Sequence, residues 1–357
     1  MKINKFLNKI LIGNNVNLLK QLPEESVDLI FADPPYNLQL SNDLRRPDQT
    51  YVSGVSEEWD KFHSFKDYDD YTFSWLKTCR NILKPNGSIW VIGSYHNIYR
   101  VGYILQNLGF WILNDIIWRK TNPMPNFKGT RFTNAHETII WASKNQKSRY
   151  TFNYEAMKSL NGDLQMRSDW SIPICTGNER LKNNVGVKVH PTQKPETLLN
   201  RVIMSSTKLD DIILDPFFGT GTTGVVAKRL NRKFIGIEEN KEYAKYALKR
   251  IENTKVLNPE DIHIIPKKQE KRVPFGSLLE NGLINPGQLL TDFRKRWTAK
   301  VRADGSLISK DNKGSIHSVA AALQGLPACN GWSFWYIKKS GKLVSIDQLR
   351  TMIRLSA

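Results

Sequence analysis

The stretch that decides the fold is Ile212-Ile213-Leu214-Asp215-Pro216-Phe217-Phe218-Gly219-Thr220-Gly221-Thr222-Thr223-Gly224. A short apolar run leads into a glycine-rich turn, and residues 225–230 continue with the spacing of a helix. A second apolar run, 234–237, follows that helix and ends at Glu238. Strand, turn, helix and strand in this order predict a βαβ unit with parallel strands.

Similar short runs of β-branched and aromatic residues recur along the chain, at 10–13, 27–32, 88–93, 111–118 and 138–142. Between them, residues 71–83 place Phe73, Leu76, Ile82 and Leu83 near one helical face, and Lys84-Pro85-Asn86-Gly87 provides a stop. A further helix is predicted after Pro195. Short strands that alternate with helices predict an α/β fold with a doubly wound, mostly parallel sheet.

Changes in composition divide the chain. We predict a first domain over residues 1–260 and a Pro- and Lys-rich linker over 261–272. A small α+β domain is predicted to follow over 273–357. Within the first domain, residues 143–193 are polar and basic without a sustained period, so they are interpreted as part of an insertion over about 119–193 rather than as core.

The charge is strongly positive, +18 in 357 residues, and it is unevenly spread. Residues 119–201 carry 14 Lys and Arg against 6 Asp and Glu, and residues 273–357 carry 12 against 5. Such segments predict a polyanionic partner, with nucleic acid first, although a merely soluble basic protein is the alternative. The three scattered cysteines favour neither disulfides nor a zinc site, and no apolar run is long enough for a membrane span. We therefore expect a soluble cytoplasmic protein without a bound metal.

Asp33-Pro34-Pro35-Tyr36 directly follows the run 27–32, at the predicted carboxyl end of a strand, where α/β proteins bind ligands. An exocyclic amino nitrogen is a poor nucleophile because its lone pair is delocalised into the ring. An Asp33 carboxylate and a Pro34 carbonyl that accept its two N–H groups would favour a pyramidal, reactive nitrogen. Pro34 and Pro35 stiffen the backbone, and Tyr36 offers a face for stacking a base. The alternative is a simple turn that ends the strand.

The loop at 215–224 has two interpretations. Gly219, Gly221 and Gly224 fit the glycine pattern of a dinucleotide site, and Glu238 lies where an acid would accept from ribose hydroxyls. However, Asp215 beside the turn would repel a pyrophosphate, whereas it would attract the sulfonium or ammonium of S-adenosylmethionine. The presence of Asp33-Pro34-Pro35-Tyr36 in the same basic chain favours the methyl donor over a nicotinamide or flavin cofactor.

The order of these two motifs, with a variable basic segment between them, resembles the β-class amino-methyltransferases of DNA. The resemblance covers the whole chain and points to the CcrM and HinfI-type subgroup, which methylates adenine in GANTC. Further stretches that carry it are residues 31–38, 90–94, 121–127, 134–137 and 192–196. It implies a circularly permuted methyltransferase fold with S-adenosylmethionine as cofactor. The implied reaction is transfer to N6 of a flipped adenine in double-stranded DNA, with residues 33–36 as the catalytic motif. An association of the protein with the nucleoid is also implied. Homodimers are common in this class. The alternatives are N4-cytosine methylation and a non-catalytic DNA-binding protein that retains the cofactor fold.

The resemblance also assigns a set of residues around the cofactor: Asn14, Phe31, Lys194, Pro195, Asp215, Phe217, Gly219, Gly221, Thr222, Thr223 and Glu238. Asn14 stands where relatives often carry aspartate, so its contribution would lack charge. Pro195 could equally be an ordinary first residue of a helix.

Basic and polar residues of the insertion, and two residues of the small domain, are candidate DNA contacts: Arg119, Lys120, Asn122, Lys128, Arg131, Arg167, Ser315 and Trp332. A guanidinium can pair with guanine or hold a phosphate, and each single residue is more often a phosphate contact than a base reader. For Trp332, a place in a packed core is the alternative. His136-Glu137 suggests a metal or acid–base pair, but no matching ligands accompany it, which favours a structural role at a strand edge.

Overall fold

The computed structural model describes residues 2–38, 44–45, 51–52, 60–126, 129–262, 273–339 and 341–356. The chain divides into two units, Met1–Ile265 and Pro266–Ala357. Most of the predicted linker, residues 263–272, lies outside the described residues. None of the helices in the described ranges is long and apolar enough to cross a bilayer.

The first unit alternates strands with helices along the chain. Its strands are β1 (Lys9–Ile12), β2 (Val27–Ala32), β3 (Leu44–Arg45), β4 (Tyr51–Val52), β5 (Leu83–Gly93), β6 (Trp111–Lys120), β7 (His136–Ser143), β8 (Asp169–Ile172), β9 (Ile212–Asp215) and β10 (Lys233–Glu238). Its helices are α1 (Asn15–Leu19), α2 (Phe65–Ile82), α3 (Ile98–Asn107), α4 (Tyr154–Leu160), α5 (Glu196–Ser206), α6 (Thr222–Arg229), α7 (Lys241–Glu252) and α8 (Pro259–Ile262). Short 3₁₀ helices form at Ile3–Phe6 and Gly177–Glu179.

Eight strands of the described part form one sheet in the order β1-β10-β9-β2-β5-β7-β6-β8, and β3 pairs with β4 separately. The five neighbouring strands β1, β10, β9, β2 and β5 are parallel, whereas β7 runs antiparallel to both β5 and β6. Strands β9 and β2 are neighbours in the sheet. From β9 the chain continues to β10 on one side of this pair, and from β2 it continues to β5 on the other side. Their carboxyl ends therefore lie next to each other at the point where the strand order reverses, where doubly wound sheets bind ligands. The predicted α/β fold is confirmed.

Both faces of the sheet are buried. Along β2, Leu29 and Phe31 pack in the same core as residues of α5, α6 and α7, while Ile30 and Ala32 pack with α1, α2 and α3. Because successive residues of a strand point to opposite faces, a continuous apolar run is what a strand covered on both sides requires.

Helix α2 differs from the prediction at both ends. It begins at Phe65, where the Ser64 hydroxyl accepts a hydrogen bond from the Asp67 amide at 3.1 Å, and it ends at Ile82. Phe73 was placed on its apolar face and is instead 43% exposed. Residues 84–87 belong to β5, where Val27 pairs with Leu83 and Leu29 with Ser88. Between these pairs one residue of β2 faces four of β5, so the Pro-Asn-Gly residues form a bulge in the strand rather than a separate turn.

The prediction that residues 143–193 lie outside the core is wrong in part. Residues 169–172 form β8, which pairs in parallel with β6 and extends the sheet. Trp170 and Ile172 are buried in its core. Only alternate residues of this short edge strand are apolar, so the polar composition around them hid the strand.

The second unit is built on an antiparallel sheet. Its elements are α9 (Gly276–Glu280), β11 (Leu289–Thr291), β12 (Thr298–Val301), β13 (Leu307–Ser309), β14 (Asn312–Gly314), α10 (Ile316–Gln324), α11 (Gly331–Phe334), β15 (Tyr336–Lys339), β16 (Lys342–Ser345) and α12 (Ile346–Ser356). The strand order in its described part is β14-β13-β12-β11-β15-β16. Trp335 is fully buried, and its indole N–H donates to the Ile316 carbonyl at 2.9 Å. This is the α+β architecture expected for the small domain.

Candidate active site

A cavity of about 550 Å³ opens at the carboxyl ends of β2, β9 and β10. It brings together residues of both sequence motifs, which are about 180 positions apart in the chain. Thirteen of the predicted catalytic and cofactor residues line it: Asn14, Phe31, Asp33, Pro34, Pro35, Tyr36, Lys194, Asp215, Phe217, Gly219, Thr222, Thr223 and Glu238. Pro195 and Gly221 are not among the lining residues.

Asp33 is the centre of a network of charged side chains. Its Oδ2 accepts from the Lys194 ammonium at 2.6 Å, and its Oδ1 accepts from the Tyr36 hydroxyl at 3.0 Å. The same hydroxyl lies 3.0 Å from Oε2 of Glu137, whose Oε1 pairs with the Lys120 ammonium at 2.8 Å. Two carboxylates and two ammonium groups therefore balance each other around Tyr36.

Burial and these neighbours set the protonation states. Burial raises the pKa of Asp33 above its ordinary value, and the Lys194 ammonium offsets part of that rise. Burial also acts to raise the pKa of Glu137, but Lys194 and Lys120 outweigh it and leave that pKa below the ordinary value. For Tyr36, burial followed by the charges of Asp33 and Glu137 raises the pKa well above its usual range, so the hydroxyl keeps its proton.

A buried aspartate outside the motif fixes the backbone that follows it. Asp60 accepts the amide N–H groups of Tyr36, Asn37 and Leu38 at 2.7, 2.8 and 2.9 Å. The Pro35 carbonyl accepts from the Tyr68 hydroxyl at 3.0 Å. None of the hydrogen bonds recorded among the described residues uses the Pro34 carbonyl, which leaves that oxygen available at the cavity.

Asp215 is buried at the end of β9, and two hydrogen bonds compensate part of the cost of removing its carboxylate from water. It accepts from the Thr223 hydroxyl at 2.6 Å and from the Phe217 amide at 2.9 Å. Burial nevertheless raises its pKa to about 7, because these hydrogen bonds only partly oppose desolvation. Among the side chains that the structure describes, no cation pairs with Asp215, and a buried carboxyl of this kind at a cavity fits a cationic ligand such as S-adenosylmethionine.

The glycines of the loop differ in their roles. Gly219 (φ +52°) and Gly221 (φ +77°) both adopt left-handed backbone conformations. Gly221 begins α6, and a Cβ there would come within 2.8 Å of the Ala247 Cβ, so it serves the packing of α6 on α7. Its assignment as a residue around the cofactor stays a prediction.

Glu238 and the first helix form another side of the cavity. The Glu238 carboxylate accepts the amides of Gly219 at 2.7 Å and Asn240 at 2.8 Å, which joins the ends of β9 and β10. Asn14 is the N-cap of α1 and accepts from the Asn17 amide at 3.3 Å. Its neighbour Asn15 has a buried side-chain amide nitrogen without a hydrogen-bond partner among the described residues. Asn15 is therefore a better candidate than Asn14 for a contact with a ligand.

The Lys194-Pro195 pair lies where α5 begins. Pro195 is the N-cap of α5 and is buried, consistent with the alternative of an ordinary helix start. The Lys194 carbonyl accepts from the Thr222 hydroxyl at 3.2 Å, which connects the start of α5 to the glycine loop. Glu196 then pairs with both Arg229 at 2.6 Å and Arg250 at 2.7 Å and braces the helices behind that loop.

The predicted DNA contacts of the first unit fall into different environments. Arg119, Asn122, Arg131 and Arg167 are exposed. Arg119 donates to the Ser171 hydroxyl, and Arg167 pairs with Asp169 at 2.8 Å. Lys120 is only 11% exposed and is taken up by Glu137, which corrects its assignment to the DNA-facing surface. Lys128 lies outside the described residues.

In the second unit, Ser315 caps α10 by accepting from the Ser318 amide at 3.1 Å. Trp332 is 8% exposed, packs edge-on against Phe275, and has the Arg350 guanidinium over its ring. The core interpretation is therefore correct for Trp332, which offers no open face to a base.

Sequence reasoning missed Asp60, Asn15, Phe62 and His190, and it gave Glu137 only a structural role at a strand edge. Burial, followed by the charges of Lys194 and Arg180, lowers the pKa of His190 to about 3, so its ring is neutral. The described ranges contain no group of three His, Cys, Asp or Glu residues that could hold a metal ion.

The chain matches two family models. The model described as DNA methylase, of the N6 and N4 methyltransferases, matches residues 27–249. The model described as Restriction Enzyme Adenine Methylase Associated matches residues 260–356. The Type II methyltransferase M.HinfI of Haemophilus influenzae is 50% identical over 349 residues, 98% of this chain and 97% of that protein. The Type II methyltransferase M2.LlaDCHI of Lactococcus lactis subsp. cremoris is 50% identical over 246 residues, 68% of this chain and 89% of that protein.

Solved structures resemble the first unit. The M1.HpyAVI-SAM complex has a TM-score of 0.51 and 29% identity, and the match covers 68% of this chain and 98% of that one. The cytosine-N4-specific PvuII DNA methyltransferase has a TM-score of 0.54 and 25% identity, over 71% of this chain and 89% of that one. These matches exclude the nicotinamide or flavin enzyme. The chain belongs to the DNA methylase family and is an adenine-specific DNA methyltransferase that uses S-adenosylmethionine.

Proposed function

We propose that the protein transfers a methyl group to N6 of an adenine that is flipped out of duplex DNA, within the sequence GANTC. One observation carries the proposal: Asp33 and Asp215, at the ends of the neighbouring strands β2 and β9, line the same cavity. One acid suits an amino group and the other suits a cationic methyl donor, so the two reactants would meet there. A base stacked within a duplex cannot present its amino group inside a cavity, which is why flipping is part of the proposal.

The roles of the residues follow from their hydrogen-bonding capacity. Asp33 and the Pro34 carbonyl accept the two amino hydrogens, so that the nitrogen lone pair turns towards the methyl group. S-adenosylmethionine supplies a methyl group on a positively charged sulfur. The amino nitrogen would form the new N–C bond as the S–C bond breaks, the electron pair of that bond would stay on the sulfur as a neutral thioether, and the nitrogen would release its proton through the Asp33 carboxylate to solvent. Lys194 holds the Asp33 carboxylate in place before the base arrives.

The choice of GANTC is supported by the resemblance to the HinfI-type subgroup, together with the identity to M.HinfI along nearly the whole chain. The fold alone does not favour adenine over cytosine N4, since a cytosine-N4-specific enzyme has a similar structure. We expect single-molecule sequencing of plasmid DNA from cells that express the gene to show N6-methyladenine at GANTC. N4-methylcytosine in nucleoside mass analysis would favour the alternative.

The catalytic assignment is tested with Asp33→Asn. Because one acceptor oxygen becomes an amide N–H donor, we expect turnover to fall by about a hundredfold or more. Binding of S-adenosylmethionine, measured by calorimetry, should change little. Asp210→Asn is the matched control, since Asp210 is a largely exposed carboxylate of the same unit with a left-handed backbone that asparagine tolerates.

If Asp33→Asn keeps full activity, the assignment of Asp33 fails. If the wild-type protein binds DNA and cofactor but transfers no tritiated methyl group at any salt concentration, the non-catalytic DNA-binding alternative is correct.

A further inference from the structure

We propose that Glu137 is a positioning residue that holds the Tyr36 hydroxyl, so that Asp33 is released to accept the amino group of the target base. This inference rests on the proposed function, because it concerns how Asp33 exchanges one partner for another. Nothing in the sequence motif itself indicates Glu137, which lies 101 residues beyond Tyr36 in the chain.

The Tyr36 hydroxyl has two competing acceptors, Asp33 and Glu137. The Tyr36 hydroxyl lies 3.0 Å from both Asp33 Oδ1 and Glu137 Oε2, but it has a single proton to donate. The other Asp33 oxygen is already bonded to Lys194. Donation by Tyr36 occupies one lone pair of Asp33 Oδ1 and weakens that oxygen as an acceptor for an incoming amino group. Glu137 is placed to accept the Tyr36 proton instead, which leaves Oδ1 fully available to the base.

The position of Glu137 also ties Tyr36 to the segment 121–135. Glu137 lies near the start of β7 opposite Trp118 of β6, and the Lys120 amide donates to the Ala135 carbonyl at 2.8 Å. The ion pair between Lys120 and Glu137 therefore joins the two strands at the neck of this segment, which carries candidate DNA contacts. The Glu137 carboxylate thus contacts both Lys120, at the start of this segment, and Tyr36, whose ring is proposed to stack on the base.

A double-mutant cycle with Tyr36→Phe tests the inference. Tyr36→Phe keeps the ring but removes the hydroxyl, and Glu137→Ala removes its acceptor. We expect Glu137→Ala to lower kcat by about tenfold, the size of one lost hydrogen bond, with little change in the KM for S-adenosylmethionine. In the Tyr36→Phe background the same substitution should lower kcat by less than about twofold, because no hydroxyl remains to be held.

A second pair of variants guards against misfolding, since Glu137→Ala leaves Lys120 buried without its partner. In Glu137→Gln the single amide oxygen is drawn to Lys120, so the NH₂ group faces Tyr36 and turns the hydroxyl proton towards Asp33. We expect lower kcat for Glu137→Gln and partial recovery in Lys120→Met/Glu137→Gln, where the amide oxygen can face Tyr36. Cofactor binding by calorimetry reports whether each variant is folded.

The outcomes separate this inference from the proposed function. Multiplicative losses in the Tyr36→Phe cycle, or a Glu137→Ala variant with unchanged kcat, would overturn the role of Glu137 while wild-type adenine methylation stands. Absence of methylation by the wild-type protein would instead overturn the proposed function.

Discussion

The surroundings of Asp215 change its pKa, and with it the charge that the residue carries near neutral pH. Its carboxyl is buried at the end of β9, and two hydrogen bonds compensate only part of the desolvation, so its pKa rises to about 7. A raised pKa means that the folded protein without ligand favours the neutral acid. Ionising the carboxyl as the pH rises towards 7 therefore lowers the stability of the ligand-free protein, and a cationic ligand would reverse this effect.

We predict that binding of S-adenosylmethionine tightens as the pH rises through about 7, because the cation favours the ionised form of Asp215. Calorimetric titrations from about pH 6 to pH 8 would measure this. Asp215→Asn, which cannot ionise, should bind more weakly and show a flatter profile. Its remaining slope reports titration of the ligand's own amino group. An equally steep profile in Asp215→Asn would assign the pH dependence to another group.

Site residues that belong to a contiguous motif could be predicted from the sequence. Site residues whose role depends on contacts with distant parts of the chain could not. Asp33 and Asp215 were found because each follows an apolar run within a short pattern. Asp60 was missed, and Glu137 was given only a structural role, because their partners lie 24 and 101 positions away. Lys120 was assigned to the surface since its charge alone indicated solvent, yet an internal carboxylate pairs with it.

At the scale of elements, one aromatic ring holds the glycine loop onto the sheet. Phe218 lies over Gly236 of β10 and beside Gly224 of α6, where added Cβ atoms would come within 2.4 and 2.6 Å of the ring. The backbone at these two glycines is not left-handed, so space rather than conformation requires glycine there. The ring also stacks on Phe234 with centroids 5.7 Å apart. The Phe218 ring thus packs the glycine loop against both β10 and α6.

Gly236→Ala should therefore destabilise the protein by about 1–3 kcal/mol through overpacking, and it should weaken cofactor binding because the Phe218 ring must shift. Thermal unfolding with and without S-adenosylmethionine would measure both effects. Gly276→Ala is the control, since nothing lies within 4 Å of its Cβ position and its backbone is not left-handed. Equal stability for the two variants would show that the ring can move freely.

Strands that are apolar throughout were predicted well, since β2, β9 and β10 follow the runs at 27–32, 212–214 and 234–237. The failures have physical reasons. Strand β8 exposes alternate polar residues at a sheet edge. Helix α2 begins at Phe65, before the predicted start at residue 71, because Ser64 caps it there. Residues 84–87 contain turn-forming types that a bulge also accommodates.

On the scale of the whole molecule, the excess positive charge is concentrated in two segments of the chain. Residues 119–201 and 273–357 together account for +15 of the net +18. The cavity itself has nearly balanced charges, with Asp33 and Glu137 facing Lys194 and Lys120. Recognition of a small cation is therefore assigned to the cavity, and contact with a polyanion to the basic residues of these segments other than the paired Lys120 and Lys194.

This separation predicts different responses to salt. Each phosphate that a Lys or Arg contacts releases counterions, so DNA affinity should fall by about 10³-fold or more between about 50 and 200 mM salt. Cofactor affinity should change by less than about threefold, because its partners are buried and poorly screened. Fluorescence anisotropy with a duplex that contains GANTC, and calorimetry with S-adenosylmethionine, would give the two slopes. A DNA affinity that is as insensitive to salt as cofactor binding would mean that the basic segments do not face the phosphates, and the positive charge would then have to be explained without a polyanionic partner.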